Sequence, residues 1–280
     1  MPLPMPADPS RAPDRLPLSV SIVCCNNQTT IRRTLDSVAH FAAEIVAVDS
    51  GSTDATLDIL ARAGARVIHQ PWLGHIRQKQ HALDACTQPW ILHLDSDESV
   101  EPDLHASIAD TITRNDPAVG ACAMIRKVWY AGRFLDHAWQ PEWRTRLVRA
   151  GAAAWGGYDP HDALDLTPES RARFRVQRIP GVMRHDSIGR MADFLAKQAS
   201  HARIAAESYQ RLGRKASVAR LITSPAGALA KQLILKSAWR DGWRGVAAAG
   251  ASASGAFMKH AILLERTRLA SEPTAEKLDA

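Results

Sequence analysis

From Leu18 onward, apolar runs of strand length alternate with segments whose apolar positions recur every three or four residues. Leu18–Cys25, Glu44–Asp49, Ala65–Gln70 and Trp90–Asp95 are such runs, punctuated by Gly, Asn, Ser and Pro, and they predict strands. Thr29–Phe41, Thr53–Ala63 and His75–Cys86 lie between them and predict helices. A β-α-β-α-β-α-β order implies a parallel sheet with right-handed crossovers, in which ligands gather beyond the carboxyl ends of the strands. Farther on, Glu101–Asn115 predicts a helix, Val119–Tyr130 a strand, and Arg146–Arg149 and Phe174–Ile179 short strands. A Trp-rich loop is expected through Trp129, Trp139, Trp143 and Trp155. From Gly189 the pattern is helical almost to the end, with breaks expected at Pro225 and at Gly242 and Gly245.

Composition narrows this picture. With 46% hydrophobic residues in 280, the chain can bury a substantial core, which excludes disorder throughout. Four Cys without a C-x-x-C pair argue against a zinc site or a disulfide framework and suit a reducing compartment. The first 17 residues hold six prolines and no apolar segment before a small-residue cleavage site, so they read as a disordered leader and not a secretory signal. No stretch approaches the ~20 apolar residues of a membrane span.

The formal charge of +6 is uneven: from His201 onward there are 13 Lys and Arg against 6 Asp and Glu, which leaves the first 200 residues near neutral. A nucleic-acid enzyme needs a basic groove in its main domain, so nucleic acid is not expected as a partner, and the basic tail points to an anionic surface.

Two strand ends carry candidate chemistry. Asp49 closes the second strand, followed by Ser50-Gly51-Ser52-Thr53-Asp54, where Gly51 permits a tight turn and Ser52 or Thr53 can cap a helix. Capping leaves Asp49 itself unexplained: a carboxylate at the end of a buried strand needs a partner, and a nucleoside offers ribose hydroxyls or a base N–H. The fourth strand ends in Asp95-Ser96-Asp97-Glu98, three carboxylates within four residues. Such crowding of like charge suits a hard divalent cation, Mg²⁺ or Mn²⁺, which takes oxygen ligands and shares them with substrate phosphates. A nucleotide diphosphate fits that arrangement. Arg144, Arg146 and Arg149 are candidates for holding a phosphate, or form an exposed basic strand edge.

Ser19–Cys25, Asp49–Asp54, Pro71-Trp72-Leu73-Gly74, Gln78-Lys79 and Leu94–Glu98 together resemble the family 2 glycosyltransferases of the GT-A fold. The resemblance is closer to the lipopolysaccharide inner-core β-glucosyltransferase branch and extends from about Leu18 to Arg266, since Trp239-Arg240-Asp241-Gly242-Trp243-Arg244-Gly245 also matches. It implies an α/β fold with a mostly parallel, Rossmann-like sheet and a C-terminal helical extension. It also implies inverting transfer of a sugar from a nucleotide diphosphate, such as UDP-glucose, to a hydroxyl of a lipid-linked glycan of lipopolysaccharide core type.

By that resemblance Asp49, Ser52, Lys79, Asp95 and Asp97 face the donor, and Asp97, with Asp95, holds the cation. Cys25-Asn26-Asn27-Gln28 departs from the Asn-Glu-Glu usual after the first strand. Inversion requires a base opposite the departing nucleotide. Two pairs in the acceptor half are candidates, His161-Asp162 and His185-Asp186. The family pattern puts the base at Asp162, with His161 its neighbour; an ordinary polar turn after Pro160 is the alternative. Trp155, Arg146 and His185 are the further candidates for acceptor or phosphate contact.

The expected organisation is a leader over 1–17, a catalytic domain over 18–188 with a donor half to about 115 and an acceptor half from 116, a helical extension over 189–270, and a tail over 271–280. In the extension Leu235, Trp239 and Trp243 recur every four residues beside Lys236, Arg240 and Arg244, the profile of a helix lying on anionic lipid. The expected setting is cytoplasmic, peripheral on the inner face of the cytoplasmic membrane. A non-catalytic adaptor that keeps the fold and binds membrane or nucleic acid through its tail is the alternative.

Overall fold

Both faces of β1 (Leu16–Cys24) are buried, which makes it the spine of the molecule. It pairs in parallel with β2 (Ala42–Asp49) and β4 (Trp90–Asp95), and β2 pairs in parallel with β3 (Arg66–His69). Alternate side chains point to opposite faces. Leu18, Val20 and Ile22 pack with Leu35 of α1 (Ile31–Asp36) and with Leu104 and Ile108 of α4 (Pro102–Arg114). The other set, including Ser21, Ile91 and His93, lies on the face where Leu83 of α3 (His75–Asp84) joins Ile91 in a second core. α2 (Thr56–Arg62) completes the alternating half. The computed structural model describes residues 15–158, 161–214 and 217–269; most of the leader and all of the expected tail lie outside them.

The sheet is mixed, parallel from β3 through β2 and β1 to β4 and antiparallel where β8 (Trp143–Arg149) joins β4. Its order is β3-β2-β1-β4-β8-β6-β11-β5, with β5 spanning Glu98–Val100, β6 Val119–Tyr130 and β11 Arg175–His185. β8 runs antiparallel to β4, Ile91 facing Val148 and Leu92 facing Leu147, and β6 runs antiparallel to β8. Because of this pairing, the expected Trp-rich loop is largely strand: Trp129 lies on β6, Trp143 on β8, and Trp155 on β9 (Ala153–Tyr158), which pairs with β10 (His161–Leu166). β7 (Arg133–Phe134) turns back on β6, and α5 (Pro168–Arg171) precedes β11. Gly181 has φ +102, and a Cβ there would sit 2.4 Å from the Leu104 Cα, so β11 can press on α4 only with glycine at that position.

The chain divides into two units, one of residues 1–125, 143–156 and 163–184, the other of 126–142, 157–162 and 185–280. The expected boundary near 188 is close to one crossing, but the second unit also takes in two earlier segments. The reason is apolar: Val128, Tyr130, Leu135 and Ala138 share a core with Ile188, Ala238 and Ala248.

Within that second unit, α8 (Trp243–Leu269) packs on α6 (Met191–Arg211) and α7 (Val218–Ala230), and buried alanines on α6 and α8 permit close approach. The break expected at Pro225 does not occur; α7, capped by Ser217, runs through it. A proline removes one backbone donor, and an exposed helix can replace that bond with water. The interruption comes later, after a π-helical turn (Lys231–Leu235), at Ser237 with φ 53 and, beyond a 3₁₀ turn (Ala238–Asp241), at Gly242 with φ 64. Leu235, Trp239 and Trp243 therefore do not share one helix. No helix among the described residues is long and apolar enough to cross a membrane.

Candidate functional site

The loops after β1 and β2 are laced together at the carboxyl edge of the parallel strands. Asn26, in the left-handed region at φ 54, accepts from the Thr53 N–H at 2.8 Å, and its own N–H donates to Ser52 Oγ at 2.9 Å. Asn27 N–H donates to Thr56 Oγ1 at 2.8 Å, and Gln28 N–H to Asp54 at 3.1 Å. The departure Asn26-Asn27-Gln28 thus serves as a loop clasp.

Asp49 is fully buried and accepts from Gly51 N–H at 2.9 Å, Ser52 N–H at 3.0 Å and the Ser52 hydroxyl. Burial alone would raise its pKa; the bonds from Ser52 and Gly51 outweigh that and hold it below the usual carboxylate value. The turn itself thus satisfies the buried Asp49 carboxylate.

Below the end of β4 lies a network of paired charge. Arg146 lies on β8 next to Leu147, whose partner on β4 is Leu92. From there the Arg146 guanidinium grips Glu98 through Nε at 3.1 Å and Nη2 at 3.0 Å, and reaches Asp95 at 3.1 Å. Lys79, on the inward face of α3, lies 2.9 Å from the other Asp95 oxygen. Burial would raise the Asp95 pKa, but Lys79 and Arg146 hold it well below the usual range.

His93, with no solvent exposure, sits beneath: Ser21 Oγ lies 2.9 Å from its Nδ1, and Asp95 Oδ1 lies 3.5 Å from its Nε2. Burial keeps that imidazole on the neutral side. The buried Trp155 closes the cluster, edge-on to His93 at 4.8 Å and beneath the Lys79 ammonium at 4.7 Å.

This geometry corrects three expectations. The Asp95-Ser96-Asp97-Glu98 run is not a knot of unbalanced charge, because Glu98 is wholly buried against Arg146 and both Asp95 oxygens meet protein cations. Asp95 is held in ion pairs with Lys79 and Arg146, while Asp97 stays half-buried at the turn. Arg146 is buried in these pairs and does not form an exposed phosphate grip, and Trp155 is core and not a surface acceptor platform.

The structure brings together Lys79, Asp95, Arg146 and Trp155 in the first unit, and clasps Asp49 and Ser52 in one turn there. Asp162 on β10 is half-buried and His185 closes β11 half-buried; both belong to the second unit. The side chain of His161 lies outside the described residues. Sequence reasoning gave no site role to Ser21, His93 or Gln78, although Ser21 and Gln78 lie in the motifs that carry the resemblance. His93 carried a signal, a histidine at an inward position of an otherwise apolar strand. Gln78, also buried, ties Ser50 at 3.0 Å to the Gln70 carbonyl at 3.1 Å.

Among the described residues no group of three His, Cys, Asp or Glu side chains could hold a metal ion by itself. The donor set at the edge is oxygen only, one half-buried carboxylate beside a pair already neutralised. That suits a hard divalent ion completed by substrate phosphates, and not a closed protein cage.

Over 277 residues, 94% of this chain and 97% of the relative, the protein is 27% identical to the lipopolysaccharide core biosynthesis glycosyltransferase LpsC of Rhizobium meliloti. An uncharacterized glycosyltransferase of Rickettsia prowazekii is 26% identical over 81% of this chain and 80% of its own. Among solved structures, S. aureus TarS 1-349 superposes with a TM-score of 0.47 at 15% identity, covering 90% of this chain and 91% of that one. The Glycosyl transferase family 2 profile matches residues 19–164, just over half of the 280 and all of the strands that build the charged edge, and the chain belongs to that family.

Proposed function

We propose that the protein transfers a hexose, with inversion, from a UDP-sugar such as UDP-glucose to a hydroxyl of a lipid-linked glycan of lipopolysaccharide core type. The observation that carries this reading is the carboxyl edge of β4, where Asp97 stands beside the Asp95–Lys79–Arg146 cluster in a family 2 domain. The near full-length relationship to an enzyme of lipopolysaccharide core biosynthesis supports the acceptor class.

In this reading the turn from Asp49 to Ser52 receives the nucleoside, and Lys79 stands beside the pyrophosphate while Arg146 holds Asp95 and Glu98 in place. Asp97 would hold Mg²⁺ or Mn²⁺, which when bound supplies positive charge against which the nucleotide departs. Asp162 takes the proton of the acceptor hydroxyl as that oxygen bonds to the anomeric carbon and the bond to the phosphate oxygen breaks. A lipid-linked acceptor requires the protein to work at a membrane surface, as a peripheral protein of the cytoplasmic face.

The test is a thermal-shift and transfer panel of UDP-, GDP-, ADP- and dTDP-sugars with and without Mn²⁺, since a ligand that binds only the folded state raises its stability. UDP-glucose should raise Tm only with the ion, and Asp97→Ala should lose that rise while keeping its own Tm. Undiminished transfer in excess EDTA would overturn the cation's role, and a shift by none of the sugars would overturn the donor.

A further inference from the structure

The segment from Lys231 to Val246 in the second unit is built inside out. Its polar side chains serve as anchors: the buried Asp241 carboxylate accepts from the N–H groups of Asp136 at 3.0 Å, His137 at 3.0 Å and Ala138 at 2.8 Å, and buried Gln232 accepts from Trp139 N–H at 3.0 Å. Gly245 completes the seat, since a Cβ there would fall 1.8 Å from the Ala238 carbonyl oxygen. Its apolar side chains face water: Ile234 is 72% exposed, Leu235 78% and Trp239 62%.

An ordinary surface turn does the reverse, and exposed apolar area held rigidly outward marks an interaction site. The patch continues onto α7, which buries no residue. Val218, Ile222 and Leu229 are exposed there at spacings that place them on one helical face.

The charges say what meets this surface. Lys231, Lys236, Arg240 and Arg244 lie within the segment, and its one acid, Asp241, is turned inward; α7 adds only Arg220. A protein partner would need both an apolar pocket for each of these side chains and a wholly acidic rim. A bilayer of anionic lipid offers an apolar interior under a negative headgroup layer with no pocket required, and Trp suits the boundary between them.

We infer that the turn from Lys231 to Trp243, with the outer face of α7, inserts shallowly into an anionic lipid surface: Ile234, Leu235 and Trp239 enter below the headgroups, and Lys236 and Arg240 stay among the phosphates. This deepens the peripheral-membrane part of the proposed function and rests on it. The expected single amphipathic helix gives way to a rigid turn and a helix face, which position the insertion by backbone anchors instead of by helical spacing.

Flotation of the full chain with phosphatidylglycerol-rich vesicles, against phosphatidylcholine vesicles, tests this. The wild type should float with the anionic vesicles at low salt and far less with the neutral ones. Each basic side chain near such a surface is worth about fivefold in partitioning, so Lys236→Gln with Arg240→Gln should weaken it about twenty-fivefold. Leu235→Ser with Trp239→Ser should abolish flotation, and both pairs should keep the wild-type Tm because the substituted groups are not core.

Flotation of all variants like the wild type would overturn the assignment to this turn while leaving the lipid-linked acceptor standing. A wild type that ignores anionic vesicles overturns the docking altogether, as does one that self-associates until Trp239→Ser makes it monomeric, which would give the face to a second copy. Transfer to a soluble acceptor fragment, followed in parallel, separates the two readings: its absence would count against the proposed chemistry and leave the vesicle result to judge the docking.

Discussion

Arg146→Met removes the guanidinium that joins β8 to the end of β4. The side chain is almost wholly buried and engages two carboxylates, Glu98 through two nitrogens at 3.0 and 3.1 Å and Asp95 at 3.1 Å. Methionine fills a similar volume, so the loss is electrostatic: Glu98, with no exposure, loses a bidentate charged partner. Breaking a buried pair from one side costs about 3–5 kcal/mol, because the remaining charge cannot be rehydrated.

If that is the physics, neutralising the stranded partner should recover much of the cost. Arg146→Met with Glu98→Gln should then be more stable than the sum of the two single losses by about 2 kcal/mol. Urea unfolding of the four proteins, followed by tryptophan fluorescence, measures the cycle; Trp155 lies 5.5 Å from the guanidinium and reports locally. A single-variant cost under about 1 kcal/mol, or strict additivity in the cycle, would refute the claim that Arg146 balances buried charge.

Two further outcomes follow from the same geometry. Asp162→Asn should lower kcat by about 10²–10⁴-fold with little change in donor KM, the signature of a lost general base, and steady-state kinetics check it; near-normal turnover would move attention to His185-Asp186. Because Asp49 is held below its unfolded pKa, its stabilisation is complete above the ordinary carboxylate range and is lost as pH falls through the folded value. Tm against pH should therefore fall in acid for the wild type, and Asp49→Asn, less stable by about 1–3 kcal/mol at neutral pH, should show a smaller acid loss; an unchanged acid slope would remove Asp49 from that role.

The alternating half of the fold was legible because strand and helix periods differ and Gly, Asn and Pro mark their ends: Trp90–Asp95 and Val119–Tyr130 come out with the bounds their sequence predicts. Helix ends were less legible. The expected Thr29–Phe41 helix is only Ile31–Asp36, followed by turns, because fraying and capping depend on neighbours and not on period.

Asp49, Lys79, Asp95 and Asp97 were visible as chemistry at strand ends, since topology alone sends those ends to one edge. What sequence could not supply was pairing. The register of β8 against β4 delivers Arg146 to Asp95 and Glu98, and the register of β1 against β4 sets Ser21 beside His93, contacts between residues 51, 48 and 72 positions apart. That is why three crowded carboxylates suggested an unbalanced charge where the structure holds a neutralised one.

The same holds for the basic stretch around Trp239. Composition and order determined that it is apolar and basic, because those are properties of the residues themselves. Whether its apolar side chains face inward or outward was decided by Asp241 and Gln232, which bind the turn to backbone groups roughly a hundred residues earlier in the chain, and no local pattern encodes that distance.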